Sequence, residues 1–356
     1  MSTWPAEVAF LRELVAVPSI SGNEGPAAEL VEQAARGLGL DVVRDETSVR
    51  VSVGDEATGA TVALASHLDV VPPGEGWTRP PFDPVIMDGQ LFGRGSGDAK
   101  ASVAAMLFAL ADLAQVGGPA RGRALGIFTY GEETRFATMP EAVARAGRLD
   151  AALVGEPTNL QLAVAQRGLM MVDLVAHGVQ QHAGYAAEAG VNNAIVELAR
   201  DLVRLDGLVS ERVHPVLGRT TVTPTMLDGG VSRNVTPPTA RAVLDIRSTP
   251  MWSHDELEAA LRDRLSSEVV VTSTRLVPCE TPPDSLLLAA VRRVAPAARQ
   301  YGSPTCSDWC FLRSLDAIKV GPGTSRRSHT PDESVDLAEV TAARLFYGQV
   351  CQEYLR

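Results

Sequence analysis

TVALASHLDVV, residues 61–71, is an apolar run that turns polar at its end, where His67 and Asp69 stand two apart. Such a run reads as a strand buried on both faces whose carboxyl end delivers side chains into a crevice, where open α/β sheets place their sites. Two more stretches share this design. ALGIFTYGEE, residues 124–133, ends in Glu132 and Glu133, and AALVGEPT, residues 151–158, carries Glu156 just past its apolar core. Between the first of these three stretches and the second, KASVAAMLFALADLAQ, residues 100–115, reads as a strongly apolar helix. Alternating buried strands and helices predict an α/β domain.

Working outward, residues 5–16 and 26–38 read as helices, the second closed by glycine-rich GLGL. From about residue 167 the texture changes. LMMVDLVAHG, NNAIVELARDLVRL, TVTPTMLDGG, ARAVLDIRST, SHDELEAALRDRL and VVVTST give the order strand, helix, strand, strand, helix, strand, the split βαβ pattern of a small α+β domain. The expected organisation is a catalytic domain of residues 1–166 and 275–356, interrupted by an inserted domain of residues 167–274. The chain of 356 residues is long enough for two domains.

The net charge of −11 argues against nucleic acid and anionic membrane as partners, since both require a basic face. No N-terminal stretch pairs a basic start with a long apolar run, so no secretory leader is expected. No segment approaches the roughly 20 apolar residues of a membrane span. A cytoplasmic protein follows as the expectation, with Cys279, Cys306, Cys310 and Cys351 as thiols. Cys306 and Cys310 stand in CSDWC and read as two buried small residues of one helical turn, since no second Cys or His pair with zinc-finger spacing accompanies them.

Histidines and carboxylates recur in tight motifs along the whole length: His67 in SHLDVVP, Asp98 in GRGSGDAK, Glu132 and Glu133 in TYGEET, Glu156 in VGEPT and His329 in SRRSHTPDE. Taken singly each is weak. A lone histidine is usually a satisfied core or surface residue, adjacent acids often form a solvated strand end, and GRGSGD could cradle phosphate. The last reading fails because the third glycine of the dinucleotide fingerprint is missing and no Lys-Ser/Thr closes a P-loop. Together the residues supply what a pair of divalent metals requires, one shared ligand and about two private ligands each, with positions left for water and substrate. Asp69 is placed to orient the His67 imidazole. Consecutive residues at a strand end point apart, so one of Glu132 and Glu133 can ligate while the other acts as a base.

HLDVVP, GRGSGDAK, GEE, GEPT, GPG and HTPDE, in this order and spacing over nearly the whole chain, resemble the dinuclear zinc aminoacylase and peptidase family of acetylornithine deacetylase, succinyl-diaminopimelate desuccinylase and carboxypeptidase G. The resemblance implies two zinc ions, with cobalt as a substitute. It makes Asp98 the shared ligand, His67 and Glu156 the ligands of one ion, Glu133 and His329 those of the other, and Glu132 the general base. It implies a zinc-peptidase-like α/β catalytic domain with a mixed sheet flanked by helices, an inserted ferredoxin-like α+β lid that often dimerises, hence an expected homodimer, and a cis peptide at Asp98–Ala99. In the lid, His182 in GVQQHAG matches a histidine that steadies the oxyanion, commonly in the partner subunit's site. Asn234 in SRNVTP and Arg247 in LDIRS match positions that hold the intermediate and the substrate carboxylate. An ordinary surface ion pair is the alternative for Arg247. His177, His214 and His254 have no match and read as structural.

Ser66, Gly131 and Ala101 depart from the usual pattern without touching a ligand. VGEPTNLQLAVAQRGLMMVDLVAHG and GSPTCSDWCF resemble most the acetylornithine and succinylornithine deacetylase branch. The expected reaction is therefore hydrolysis of N-acetylornithine to ornithine and acetate, a step of arginine biosynthesis. N-succinylornithine, acetyl-lysine and succinyl-diaminopimelate deacylation, or di- and carboxypeptidase activity, are the alternatives within the family. A non-catalytic metal-binding relative is disfavoured by the full set of ligands and base.

Overall fold

The computed structural model describes residues 4–134, 138–209 and 211–356. The chain divides into two compact units, Met1–Val164 with Thr281–Tyr301 and Ser307–Arg356, and Ala165–Glu280 with Gly302–Cys306.

The first unit is built on a mixed sheet with strand order 41–44, 48–55, 122–129, 61–67, 151–154, 316–319, 162–166. The central strands Thr61–His67 and Ala151–Val154 are buried along their whole length and pair in parallel, as do Thr61–His67 with Gly122–Thr129. A strand buried on both faces has no polar side to show, which is why these runs are continuously apolar. Antiparallel Ser48–Asp55 extends the sheet beyond Gly122–Thr129. Helix Lys100–Gln115 is buried over most of its circumference and packs against the helices Ala6–Ala16 and Leu337–Tyr354. A helix apolar all round must lie in the middle of a core, and this one does. Beside the main sheet, strand Ser334–Asp336 pairs antiparallel with Gln90–Phe92, which pairs in turn with Val85–Met87.

The second unit is a four-stranded antiparallel sheet in the order Thr221–Gly229, Thr239–Ser248, Gly168–His177, Glu268–Leu276. Met170, Val172, Leu174 and Ala176 on one strand and Ala240, Ala242, Leu244 and Ile246 on its neighbour are buried, and the residues between them are not. This period of two puts one face against Leu198 of helix Ala194–Arg204 and Leu257 and Leu261 of helix His254–Arg264. The strand order and the alternation of strands and helices are those of a ferredoxin-like domain. The unit extends beyond the inserted segment expected at 167–274. Glu280 pairs with Ala165, and the Arg167 amide donates to the Ser303 carbonyl, which draws in residues on either side.

Candidate metal centre

Three parallel neighbours in the sheet end on the same edge, and each contributes a site residue there. His67 is the last residue of Thr61–His67, Glu132 and Glu133 follow Gly122–Thr129, and Glu156 follows Ala151–Val154. Sheet order thus assembles groups that lie far apart in sequence. Asp98 and His329 arrive by another route. Asp98 stands in the loop after Gln90–Phe92 and His329 in the loop before Ser334–Asp336, and the pairing of these two short strands brings the loops together. In that loop Gly95 has φ +82°, and an added Cβ would lie 2.5 Å from Val70 Cγ1, so the close approach requires glycine. The Asp98–Ala99 peptide is cis.

The two oxygens of Asp98 face different imidazoles: Oδ1 lies 3.4 Å from His67 Nε2 and Oδ2 lies 3.7 Å from His329 Nε2. Glu156 Oε1 is 3.9 Å from His67 Nε2, and Glu133 Oε2 is 2.9 Å from His329 Nε2. His67, Asp98 and Glu133 offer ligand atoms all within 4.8 Å of one another. His67, Asp98, Glu133, Glu156 and His329 are thus brought together, with Asp98 between the two histidines.

Asp69 does more than orient an imidazole. His67 Nδ1 is 3.0 Å from the Asp69 backbone carbonyl and 3.4 Å from Asp69 Oδ1, so the carbonyl is its nearer partner. With Nδ1–H on that carbonyl, Nε2 is the ring atom turned toward Asp98 and Glu156, and it would be the one to ligate an ion. The Asp69 carboxylate itself accepts from the backbone N–H of Glu132 and of Glu133, each at 3.0 Å, and from Ser21 Oγ at 2.7 Å. One buried carboxylate therefore fixes the backbone of both adjacent glutamates.

The charges are unbalanced. Burial raises the carboxyl pKa of Glu156, and the Asp98 charge adds to it despite His67, reaching about 8. Burial likewise lifts Glu132 well above the carboxylate range, with Glu156, Asp308 and Glu133 adding repulsion against the attraction of His67. Glu133 rises through burial and its proximity to Asp98. Carboxylates crowded in this way hold protons unless a cation takes their place, and two imidazoles with three carboxylates form a donor set that suits divalent metals. The residues present fit a pair of divalent ions.

The sequence profile of peptidase family M20/M25/M40 matches residues 63–353. The chain belongs to this family. The succinyl-diaminopimelate desuccinylase of Methylorubrum populi is 29% identical over 386 aligned residues, covering 98% of both chains. Aminopeptidase PepT of Bacillus cereus superposes with a TM-score of 0.81 at 18% identity, over 98% of both chains. The YXEP protein of Bacillus subtilis, described as a dinuclear metal binding peptidase, superposes at 0.73 with 15% identity, over 97% of this chain and 96% of that one. This M20 chain is a metal-dependent hydrolase with the α/β fold of the family.

The three residues expected from the inserted domain lie in the second unit. His182 caps the short helix Ala183–Ala189, its Nδ1 accepting from the Gly184 amide at 3.1 Å, and the side chain is exposed. It bridges to Val235, and the Ala183 amide donates to the Asn234 carbonyl, so His182 and Asn234 are neighbours. Arg247 is forked onto Asp245, Nε to Oδ1 at 2.8 Å and Nη2 to Oδ2 at 3.0 Å, the ion-pair alternative named above. His177 pairs with Glu268, His214 with Glu280, and His254 bonds Ser248 and the Thr274 carbonyl.

Sequence reasoning overlooked Asp308. In CSDWC the buried acid between the cysteines carries the link to the site, its charge adding to the repulsion at Glu132. Asp308 Oδ2 accepts from Thr129 Oγ1 at 2.9 Å, while Oδ1 has no partner among the described residues. Burial pushes its pKa up to about 7. The signal was a charged residue within an otherwise apolar turn.

Proposed function

We propose that this chain hydrolyses the amide of an N-acyl diamino acid, releasing the free amine and the acyl carboxylate. The observation that carries the reading is Asp98 between His67 and His329, with Glu132 buried beside them. His67 and Glu156 would hold one zinc and Glu133 and His329 the other, with Asp98 shared and cobalt able to replace zinc. Bound there, the ions supply Lewis acidity toward the amide carbonyl and lower the pKa of bound water. Asp69 holds the Glu132 backbone and thereby aims its carboxylate. Glu132 takes a proton from the attacking water as a C–O bond forms and the carbonyl π pair moves onto oxygen; the oxyanion then collapses, the C–N bond breaks, and Glu132 returns the proton to the leaving nitrogen. His182 would steady the oxyanion, Asn234 the intermediate, and Arg247 the substrate carboxylate once released from Asp245.

The motifs favour N-acetylornithine, whereas the relatives of comparable length are named succinyl-diaminopimelate desuccinylases. Both substrates are N-acylated amino acids with a second amine, the class proposed here, and either product serves amino-acid biosynthesis. A reducing, cytoplasmic setting is part of the reading, with the four cysteines as thiols there. No described helix is long and apolar enough to cross a membrane.

A homodimer through the second unit is supported by its edge strand Thr221–Gly229. That strand exposes Met226 and Leu227, and Leu227 lines one hollow with Ile195 of helix Ala194–Arg204. Mixing His182→Ala with Glu132→Gln chains tests whether His182 acts across the dimer. Recovered activity on subunit exchange supports it, and no recovery despite exchange opposes it. The reaction itself is tested by assaying N-acetylornithine, N-succinylornithine, acetyl-lysine and N-succinyl-diaminopimelate with zinc and with cobalt. Turnover of dipeptides alone would overturn the reading.

A further inference from the structure

Glu333 ends the HTPDE motif four residues past His329, and no role has been assigned to it above. Its side chain is almost wholly buried, and its two oxygens are occupied by donors from a single loop. Oε1 accepts from the backbone N–H of Gly97 at 2.9 Å and of Asp98 at 3.0 Å. Oε2 accepts from the N–H of Gly95 at 3.1 Å and from Arg94 Nη1 at 2.6 Å. Its own backbone carbonyl accepts from the Gly93 amide at 2.9 Å. Arg94 is held in turn, donating to the Pro73 carbonyl and lying over the Trp77 ring at 5.1 Å. The carboxylate thus grips the Asp98 backbone, while its own chain segment carries His329.

We infer that Glu333, locked by Arg94, is a positioning residue that joins the Asp98 loop to the His329 loop, so that the shared ligand and one private ligand are placed together. It touches neither substrate nor the reacting atoms. The inference rests on the proposed roles of Asp98 and His329 as ligands. Asp332 provides the contrast. It is adjacent in the same loop but accepts from the Thr78 amide and hydroxyl, and neither of these bonds goes to the Asp98 loop. If Glu333 merely stiffened its loop, Asp332 would matter as much.

The test is zinc affinity of the metal-stripped, full-length chain, measured by competition with a chromophoric chelator. Glu333→Gln should weaken binding about 10–100-fold, the usual cost of losing a group that orients metal ligands. Asp332→Asn should bind as the native chain does. A second variant guards against misfolding. Arg94→Met combined with Glu333→Met replaces the buried ion pair by apolar side chains, a change folds commonly tolerate, yet removes the acceptor of three amides. It too should lose zinc affinity. Native affinity in either folded variant, or equal loss in Asp332→Asn, overturns the inference. A third measurement needs no variant. In the metal-free native chain the amides of Gly95, Gly97 and Asp98 should exchange slowly, because the carboxylate holds them without metal. Fast exchange would show that Glu333 does not order the loop, and would overturn the inference. A native chain that binds no zinc would instead sink the ligand assignment itself.

Discussion

Two groups of buried carboxylates show opposite designs. In the second unit Asp201 is fully enclosed, and its oxygens accept from the Ser266 amide, the Ser267 amide and hydroxyl, and Arg204. Burial pushes its pKa up, but these donors outweigh burial and hold it below the usual range. In the first unit Glu132 is also buried and Glu133 and Glu156 are partly so, yet they face Asp98, Asp308 and one another, and their pKa values rise. A buried charge whose donors come from the fold stabilises the fold. A buried charge left to repel its neighbours must be balanced by something that binds. The first design builds a domain and the second builds a site.

The largest test of this contrast lies within the site. Glu132→Gln should lower turnover by about 10²–10⁴-fold, since it removes the proposed base and keeps the shape. Metal content, read by elemental analysis, should stay that of the native chain, whereas Glu133→Gln should lose metal. Equal stoichiometry in the two variants would break the division between these neighbours.

The next test concerns pH. Glu156 has a folded pKa of about 8 against 4.5 for a free glutamate, so between these values this group holds more proton in the folded metal-free chain than in the unfolded one. Stability of the metal-free protein from this group must fall as pH rises through that window. Asp201 has the opposite sign. Its depressed folded pKa gives stability that is present above the unfolded value and lost as pH falls through the folded one. Denaturation of the chelated protein from pH 5 to 8 should show the decline, and excess zinc should remove it. A metal-free stability that climbs over this range would break the comparison.

A smaller effect is expected in the second unit. Asp201→Ala strands the Ser266 and Ser267 amides and should cost about 1–3 kcal/mol for the donors left unsatisfied, with zinc affinity unchanged. Chemical denaturation followed by a probe in that unit measures it. Least of all, His177→Ala removes an exposed cross-strand pair with Glu268 and should change stability by about 0–1 kcal/mol. A loss as large as that of Asp201→Ala would show that exposure does not separate the two cases.

The strands that carry the site were legible because burial on both faces leaves no polar position, so TVALASH and AALV announce themselves. The second unit was legible from its period of two. Its limits were less so, because the Glu280 and Ser303 contacts that extend it are between backbones and leave no mark on side-chain pattern. The site residues were legible as types of donor in motifs. Asp308 was not, since its meaning depends on Thr129, 179 positions away in sequence.

What the sequence determined by itself was which groups the chain owns: imidazoles and carboxylates at strand ends, a glycine-rich loop before a buried helix, and an acidic surface. Chemistry of that kind is local, and local chemistry is written residue by residue. Only the tertiary structure decided their partners. It set Asp98 between His67 and His329, turned the Asp69 carboxylate onto the Glu132 and Glu133 amides, and closed Glu333 around the Asp98 loop. The reason is that distance and desolvation fix a charge's energy, and both come from sheet order and packing rather than from neighbours in the chain.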